Sequence, residues 1–285
     1  MPDEPRSKAP TLADYAAELD FKDFEKQGWE QAARPYHKGF ASLTPLTAQA
    51  LVREAAVSPG QRVLDVATGP GYAAAAASLR GARVLGIDIA EAVVALAKTQ
   101  APGLEFRLGD AEALELPDHS FDAVLMNFVL MHLGDPDKAL REAYRVLKPG
   151  GRLAYSAWAK GAEAVGFQLA RQAVALHGNA EVRLPPGPDF FRFADIGENL
   201  RSLAAAGFPD VRSEVFQQFW RLSEPDELFQ TFIHGTVRTG ALLRAQDPAA
   251  LLKIRAHLAA DVTRYKVGQE YLLPMAALVT VGVKP

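Results

Sequence analysis

Residues 62–72 read RVLDVATGPGY, and this short stretch decides the fold. Arg62 to Val66 is a compact, mostly apolar run suited to a buried strand, and Thr68-Gly69-Pro70-Gly71 cannot continue it. An alanine-rich segment from Tyr72 to Leu79 follows and reads as a helix. A strand entering a glycine turn that opens a helix brings bare backbone close to a ligand at a helix N-terminus. Gly69-Pro70-Gly71-Tyr72-Ala73-Ala74 also fits the G-x-G-x-x-A form of a dinucleotide fingerprint, so the turn alone leaves a nicotinamide cofactor and an adenosyl cofactor both open.

Outward from this turn, strands and helices alternate. Arg83 to Ile87 is a second strand ending at Asp88, and Glu91 to Thr99 a helix halted by Pro102-Gly103. Leu104, Phe106 and Leu108 alternate as a third strand before Gly109-Asp110, and Phe121 to Phe128 is a fourth. Asp135-Pro136 opens a helix, carboxylate at the N-cap and proline in the first turn, which Pro149-Gly150-Gly151 ends. Arg152 to Ala157 is a fifth strand. This alternation predicts an α/β fold, a parallel sheet with helices on both faces. Asp88, at the carboxyl end of the second strand, is placed to accept hydrogen bonds from vicinal ribose hydroxyls. Asp65 stands inside the first strand, where it favours a cationic ligand group over a pyrophosphate. Asp110 follows the third strand, where a carboxylate can accept an adenine amine.

VLDVATGPG (63–71), LGID (85–88), GDAEALELPDHSFD (109–122), the strand to Asn127 and RVLKPGG (145–151) occur in order at characteristic intervals. Together they resemble the class I S-adenosylmethionine-dependent methyltransferases, specifically the ubiquinone/menaquinone-type methyltransferase-11 group, over about a third of the chain. The resemblance implies a Rossmann-like seven-stranded mixed sheet with an antiparallel last strand, here Met275 to Val283, and S-adenosyl-L-methionine as cofactor. Gly69 and Gly71 would line its methionine part, Asp88 its ribose, Asp110 and Ala111 its adenine, and Asn127 would offer a backbone carbonyl to its amine. Tyr36 resembles the lid tyrosine that reaches the cofactor in some relatives. Ala67 departs from the pattern where many relatives have glycine. Asn127 to His132 lacks the Gly-Leu-Arg-Asn of the quinone enzymes, which argues against a quinone acceptor.

The flanking sequence differs in character. Residues 1–10 carry three prolines and no apolar periodicity, and are expected to fray. Thr11 to Ala56 reads as helical with breaks at Pro35, Gly39 and Pro45. After Trp158 the rhythm changes to a helix over 164–177, a proline- and phenylalanine-rich loop over 184–193, a helix over 196–206 and a strand over 211–222. Residues 223–270 again read as helical. The expected division is an N-terminal helical lid (1–57), a cofactor-binding core (58–158), and a C-terminal part (159–285) that completes the sheet and carries helical cap insertions near 159–195 and 223–270. His132, just past the fourth strand, and His234, in the cap, are the candidate general bases.

Of 285 residues, 49% are hydrophobic and 23% charged, the net charge is −3, and cysteine is absent. Thiolate metal ligands, disulfides and cysteine nucleophiles are therefore ruled out, and no metal site is expected. The acidic balance gives no footprint for nucleic acid or an anionic membrane, and the apolar runs are too short to span a bilayer. The expected protein is a cytoplasmic methyltransferase acting on a small molecule by in-line displacement. A nicotinamide-dependent oxidoreductase and a non-catalytic S-adenosylmethionine-binding protein are the alternatives. Acceptor and oligomeric state are not written in the sequence.

Overall fold

In a computed structural model that describes residues 19–285, the stretch 62–72 folds as β1 (Arg62–Val66), a turn, and α3 (Tyr72–Leu79). Two helices precede it, α1 (Phe21–Phe40) and α2 (Thr44–Glu54). The proline-rich first ten residues and the helical start expected at Thr11 lie outside the described residues. Then come β2 (Arg83–Asp88), α4 (Glu91–Gln100), β3 (Glu105–Leu108), β4 (Phe121–Asn127), α5 (Pro136–Val146) and β5 (Leu147–Trp158). The C-terminal part contains α6 (Val165–His177), α7 (Ile196–Ala205), β6 (Asp210–Phe216), β7 (Phe219–Leu222), α8 (Glu227–Gly235), α9 (Arg238–Arg244), α10 (Pro248–Val262), β8 (Lys266–Val267), β9 (Glu270–Pro274) and β10 (Ala277–Val283).

Seven strands form the main sheet in the order β3-β2-β1-β4-β5-β10-β6. β1 to β5 pair in parallel, and β10 runs antiparallel to both β5 and β6, so the expected mixed sheet with a reversed last strand is what forms. Period-two alternation sends successive residues of a strand to opposite faces. Val63, Ala123 and Leu125 meet Leu51, Ala73, Ala74 and Ala77 of α2 and α3, whereas Leu64, Val66, Val124 and Met126 join the core that continues into the cap. The alanines of α3 are small enough to bring that helix close against β1, holding the glycine turn between them.

Three expectations change. Pro35 and Gly39 do not break α1, which runs through both. Proline costs a helix one hydrogen bond, and here packing against α8 compensates. A Cβ on Gly235 would sit 3.0 Å from the Tyr36 nitrogen, and one on Gly39 would clash with Thr231, so the two helices meet almost backbone to backbone. The strand expected over 211–222 splits into β6 and β7. These join different sheets, β7 pairing with β9 in a three-stranded antiparallel sheet of order β7-β9-β8. The helical reading of 223–270 holds through Val262, but Lys266–Val267 and the start of β9 are extended. Among the described residues no helix is long and apolar enough to cross a membrane.

Candidate active site

The chain reverses its direction of sheet growth between β1 and β4, and in open α/β sheets ligands bind at the carboxyl ends of the strands at such a switch point. A cavity enclosing about 960 Å³, including space open to solvent, lies there, roofed by α1. Gly69 after β1, Asp88 at the end of β2, Asp110 and Ala111 after β3, and Asn127 and Phe128 at the end of β4 all line it, with Tyr36, Trp29, Lys22 and Glu25 of α1 above.

The turn at its floor is built on left-handed backbone. Ala67, Gly69 and Gly71 have φ of 49°, 57° and 86°. For Ala67 this costs on the order of 1 kcal/mol that glycine would avoid. Phe128, also on the cavity wall, has φ 57°. Two strained non-glycine residues thus face the same space. A Cβ on Gly69 would meet no protein atom within 4 Å, so the turn leaves room for a ligand, whereas at Gly71 it would lie 3.1 Å from the Phe106 ring. Gly71 does not line the cavity; it is the residue at which α3 begins.

Two carboxylates lie under this turn. Asp65 is fully buried and accepts from Thr68 Oγ1 at 2.6 Å and from the Ala74 amide at 2.9 Å, while its Oδ1 has no partner among the described residues. Burial pushes its carboxyl up to about 7 against those two bonds, with Asp88 adding to the rise. Asp65 therefore braces the turn against the start of α3 and does not itself line the cavity. Asp88 accepts from the Ala90 amide at 3.2 Å and the Gly69 amide at 3.1 Å, and burial pushes its carboxyl up to about 6. Each Asp88 oxygen takes one backbone N–H, leaving lone pairs for hydroxyl donors.

The opposite wall is tied down by Asn127. Its side chain donates to the Thr44 carbonyl and accepts from Ser156 Oγ, which in turn accepts from the Phe128 amide. With the side chain so committed, the residue's backbone is what remains to meet a ligand. Phe128 stacks on Trp158 with ring centroids 3.7 Å apart.

Helix α1 is pinned across the cavity by four of its residues. Lys22 Nζ lies 2.6 Å from Asp110 and 2.9 Å from Glu112. Glu25 Oε2 is 3.0 Å from His132 Nδ1. Glu30 accepts from the Glu91 and Ala92 amides and so caps the N-terminus of α4. His37 Nδ1 is 2.7 Å from the Tyr72 hydroxyl. An acid from α1 at the N-terminus of another helix is favourable in charge as well as geometry.

Residues 64–155 match the family model described as "Methyltransferase domain". Over these residues the chain resembles a methyltransferase domain. It is similar to the demethylmenaquinone methyltransferase of Renibacterium salmoninarum, 44% identical over 95 residues, 33% of this chain and 40% of that protein. It is also similar to a ubiquinone biosynthesis O-methyltransferase of Pseudomonas putida, 34% identical over 151 residues, half of this chain and 62% of that protein. The aligned part spans less than half the length of the demethylmenaquinone methyltransferases it matches. Among solved structures, phosphoethanolamine N-methyltransferase 2 of Haemonchus contortus, in complex with phosphomonomethylethanolamine and S-adenosylhomocysteine, has a TM-score of 0.57. It is 19% identical, with 94% of this chain and 60% of that chain covered, which establishes a shared fold.

Within and around residues 64–155, the cavity gathers Tyr36, Gly69, Asp88, Asp110, Ala111, Asn127 and His132 of the residues singled out from sequence. Gly71 and Asp65 lie behind its floor. His234 does not belong to it. The inward face of α8 is taken by Leu228, Thr231, Phe232 and Gly235, and His234 falls on the solvent side. Sequence reasoning missed Lys22, Glu25 and Glu30. They read as ordinary charges on an amphipathic helix, and their partners are 61 to 107 positions away. The burial of Glu25, 2% exposed, was the available signal, and it exists only in three dimensions.

Proposed function

We propose that this protein is a cytoplasmic S-adenosylmethionine-dependent methyltransferase acting on a small-molecule acceptor. The observation that carries the reading is one cavity into which the carboxyl ends of β1, β2, β3 and β4 each deliver a polar or glycine contact, adjoining a second, aromatic chamber. The residues fit the cofactor: the turn at Gly69 leaves space on the floor, and Asp88 has acceptor capacity to spare.

In this reading Asp88 holds the ribose hydroxyls, Asp110 and Ala111 face the adenine edge, and Gly69 with the Asn127 carbonyl receives the methionine part. Asp65 acts one layer below, keeping the turn in register. When bound, the cofactor supplies a methyl group on a cationic sulfur, a bond that breaks with its electron pair staying on sulfur. The protein's contribution is alignment, exclusion of water by α1 and, for a protonated nucleophile, a base.

His132 is the candidate base. It lines both spaces, as do Trp29, Tyr36 and Phe128. The chamber beyond, about 430 Å³ including space open to solvent, is lined by Phe40, Trp158, Phe167 and Phe190 and by the start of α9. Of the N-terminal lid expected over 1–57, the described residues 19–57 cover the cavity, 58–158 serve as cofactor core, and the additions in 159–285 as acceptor pocket, so discrimination among acceptors resides in the additions.

Calorimetry with S-adenosylhomocysteine and with NADH tests the reading. Binding of the first and not the second is expected, and the reverse would overturn it. A screen of acceptors that reads S-adenosylhomocysteine release then identifies the substrate.

A further inference from the structure

We propose that Glu25 is the positioning residue for His132, and that the pair, completed by α1, forms the base for a hydroxyl-bearing acceptor. The proposal rests on the methyltransferase reading above and adds to it both a residue and a nucleophile class.

Four residues, Trp29, Tyr36, Phe128 and His132, line both the large cavity and the aromatic chamber. His132 therefore stands at the boundary between the methyl donor's place and the acceptor's. It closes a single turn of 3₁₀ helix, Leu130–His132, directly after β4, so the sheet fixes its backbone. Its ring is held edge-on by Trp29, centroids 5.1 Å apart at 84°, and by Phe190, 6.0 Å at 82°.

The remaining freedom of an imidazole is which nitrogen carries the proton. A carboxylate only accepts, so Glu25 Oε2, 3.0 Å from Nδ1, assigns the proton to Nδ1 and leaves the Nε2 lone pair available. Glu25 is 2% exposed, and its Oε1 has no partner among the described residues. Burying a carboxylate with one oxygen unused is costly, and a hydrophobic or amide side chain would pack α1 with less penalty. A negative charge there has a use if a positive charge appears beside it, which happens when His132 takes a proton. The other charged groups around the pair are Lys22, which is shared between Asp110 and Glu112, and Arg238, whose guanidinium lies over the Phe21 and Phe190 rings. Arg238 feels the Glu25 charge at longer range, but among the described residues neither cation forms an ion pair with Glu25.

The chemistry that needs this pair is deprotonation of a hydroxyl. The acceptor's O–H bond breaks and its proton passes to His132 Nε2. The oxygen lone pair forms the new bond to the methyl carbon as the pair of the methyl–sulfur bond stays on sulfur. Imidazolium and carboxylate face each other until the product leaves and the proton goes to water. An unprotonated amine needs no such base. The aromatic walls of the chamber suit a flat, apolar skeleton for that hydroxyl. Because Glu25 comes from α1 and His132 from the sheet, the base is complete only when α1 covers the cavity.

The test is nitrogen NMR of the ¹⁵N-histidine-labelled full chain, with the His132 signals assigned by their loss in H132N. Wild type is expected to show His132 as the Nδ1–H tautomer. In E25L, which removes the acceptor at Nδ1, the population should move towards the Nε2–H form that free imidazole favours. An unchanged tautomer in E25L, or an Nε2–H tautomer in wild type, would overturn the pairing. A second measurement needs no variant. With S-adenosylhomocysteine present, phenol at millimolar concentration should shift the Nε2 resonance, and its methyl ether anisole should not. Equal shifts, or none, would overturn the hydroxyl assignment. Calorimetry with S-adenosylhomocysteine separates the two levels of argument. Failure of wild type to bind it refutes the methyltransferase reading, whereas the tautomer is read on the protein alone.

Discussion

Lowering the pH from about 8 to about 5 should weaken binding of S-adenosylhomocysteine by about tenfold, and Asp88 should account for most of the change. The carboxyl is pushed up to about 6 by burial at the end of β2, against the bonds from Ala90 and Gly69. Only the ionised form has both oxygens free to accept from vicinal hydroxyls; a protonated carboxyl turns one of them into a donor. At about pH 8 nearly all of the population is ionised, at about pH 6 half, and at about pH 5 about one molecule in ten, which is ~1.4 kcal/mol of apparent affinity. The ligand's own charges do not change in this window, so the slope belongs to the protein. The assay is isothermal titration calorimetry at constant ionic strength across the range. Asp88→Asn should bind more weakly throughout and lose most of the slope. Asp65 also titrates nearby, and Asp65→Asn should retain the slope because that carboxyl does not line the cavity. A pH-independent affinity in wild type, or an unaltered slope in Asp88→Asn, would refute the reasoning.

Asp65 should instead govern stability. Its folded-state value, raised from 3.8 to about 7 by burial, exceeds the unfolded one, so its contribution is fully present at low pH and is lost as pH rises through that window. At ~1.4 kcal/mol per tenfold in the proton equilibrium the loss is on the order of 4 kcal/mol. Urea unfolding of wild type and Asp65→Asn should therefore diverge in favour of Asn between about pH 4 and about pH 8, and parallel curves would contradict the mechanism. The two turn glycines should separate cleanly. Gly71→Ala meets the Phe106 ring at φ 86° and should cost about 1–2 kcal/mol of stability. Gly69→Ala carries similar backbone strain but projects into the cavity, so calorimetry should show a larger loss of ligand affinity than Gly71→Ala produces.

Much of the lining of this cavity was legible in the chain. β1 and the turn after it were recognisable because a buried parallel strand needs a continuous apolar run and a left-handed turn needs glycine. Asp88, Asp110 and Asn127 follow strand ends, and strand ends of one parallel sheet converge on one edge. Asp65 shows the limit of that logic. Its position marked it as a ligand-facing acid, and the structure turns it inward to Thr68 and Ala74 instead. His234 shows another limit, since two histidines of similar promise differ only in which face of a local element the core has already claimed. The split of 211–222 had no local signal, because β6 and β7 are both plausible strand text and their paired residues in β10 and β9 come 49 to 73 positions later.

By itself, then, the sequence determined the alternating sheet, the glycine turn and the acids at the strand ends. All of these follow from interactions between near neighbours: side-chain period, backbone sterics and the regular geometry of a parallel sheet. Tertiary structure decided what covers the cavity. Lys22, Glu25 and Glu30 acquire partners only when α1 lies across the sheet, and that placement depends on Gly39 and Gly235 allowing α1 and α8 to close to backbone contact. The aromatic chamber likewise exists only where Trp29, Trp158, Phe167 and Phe190, from four separate segments, line the same space. Contacts between residues far apart in the chain are set by the packing of whole elements, and no local pattern encodes that packing.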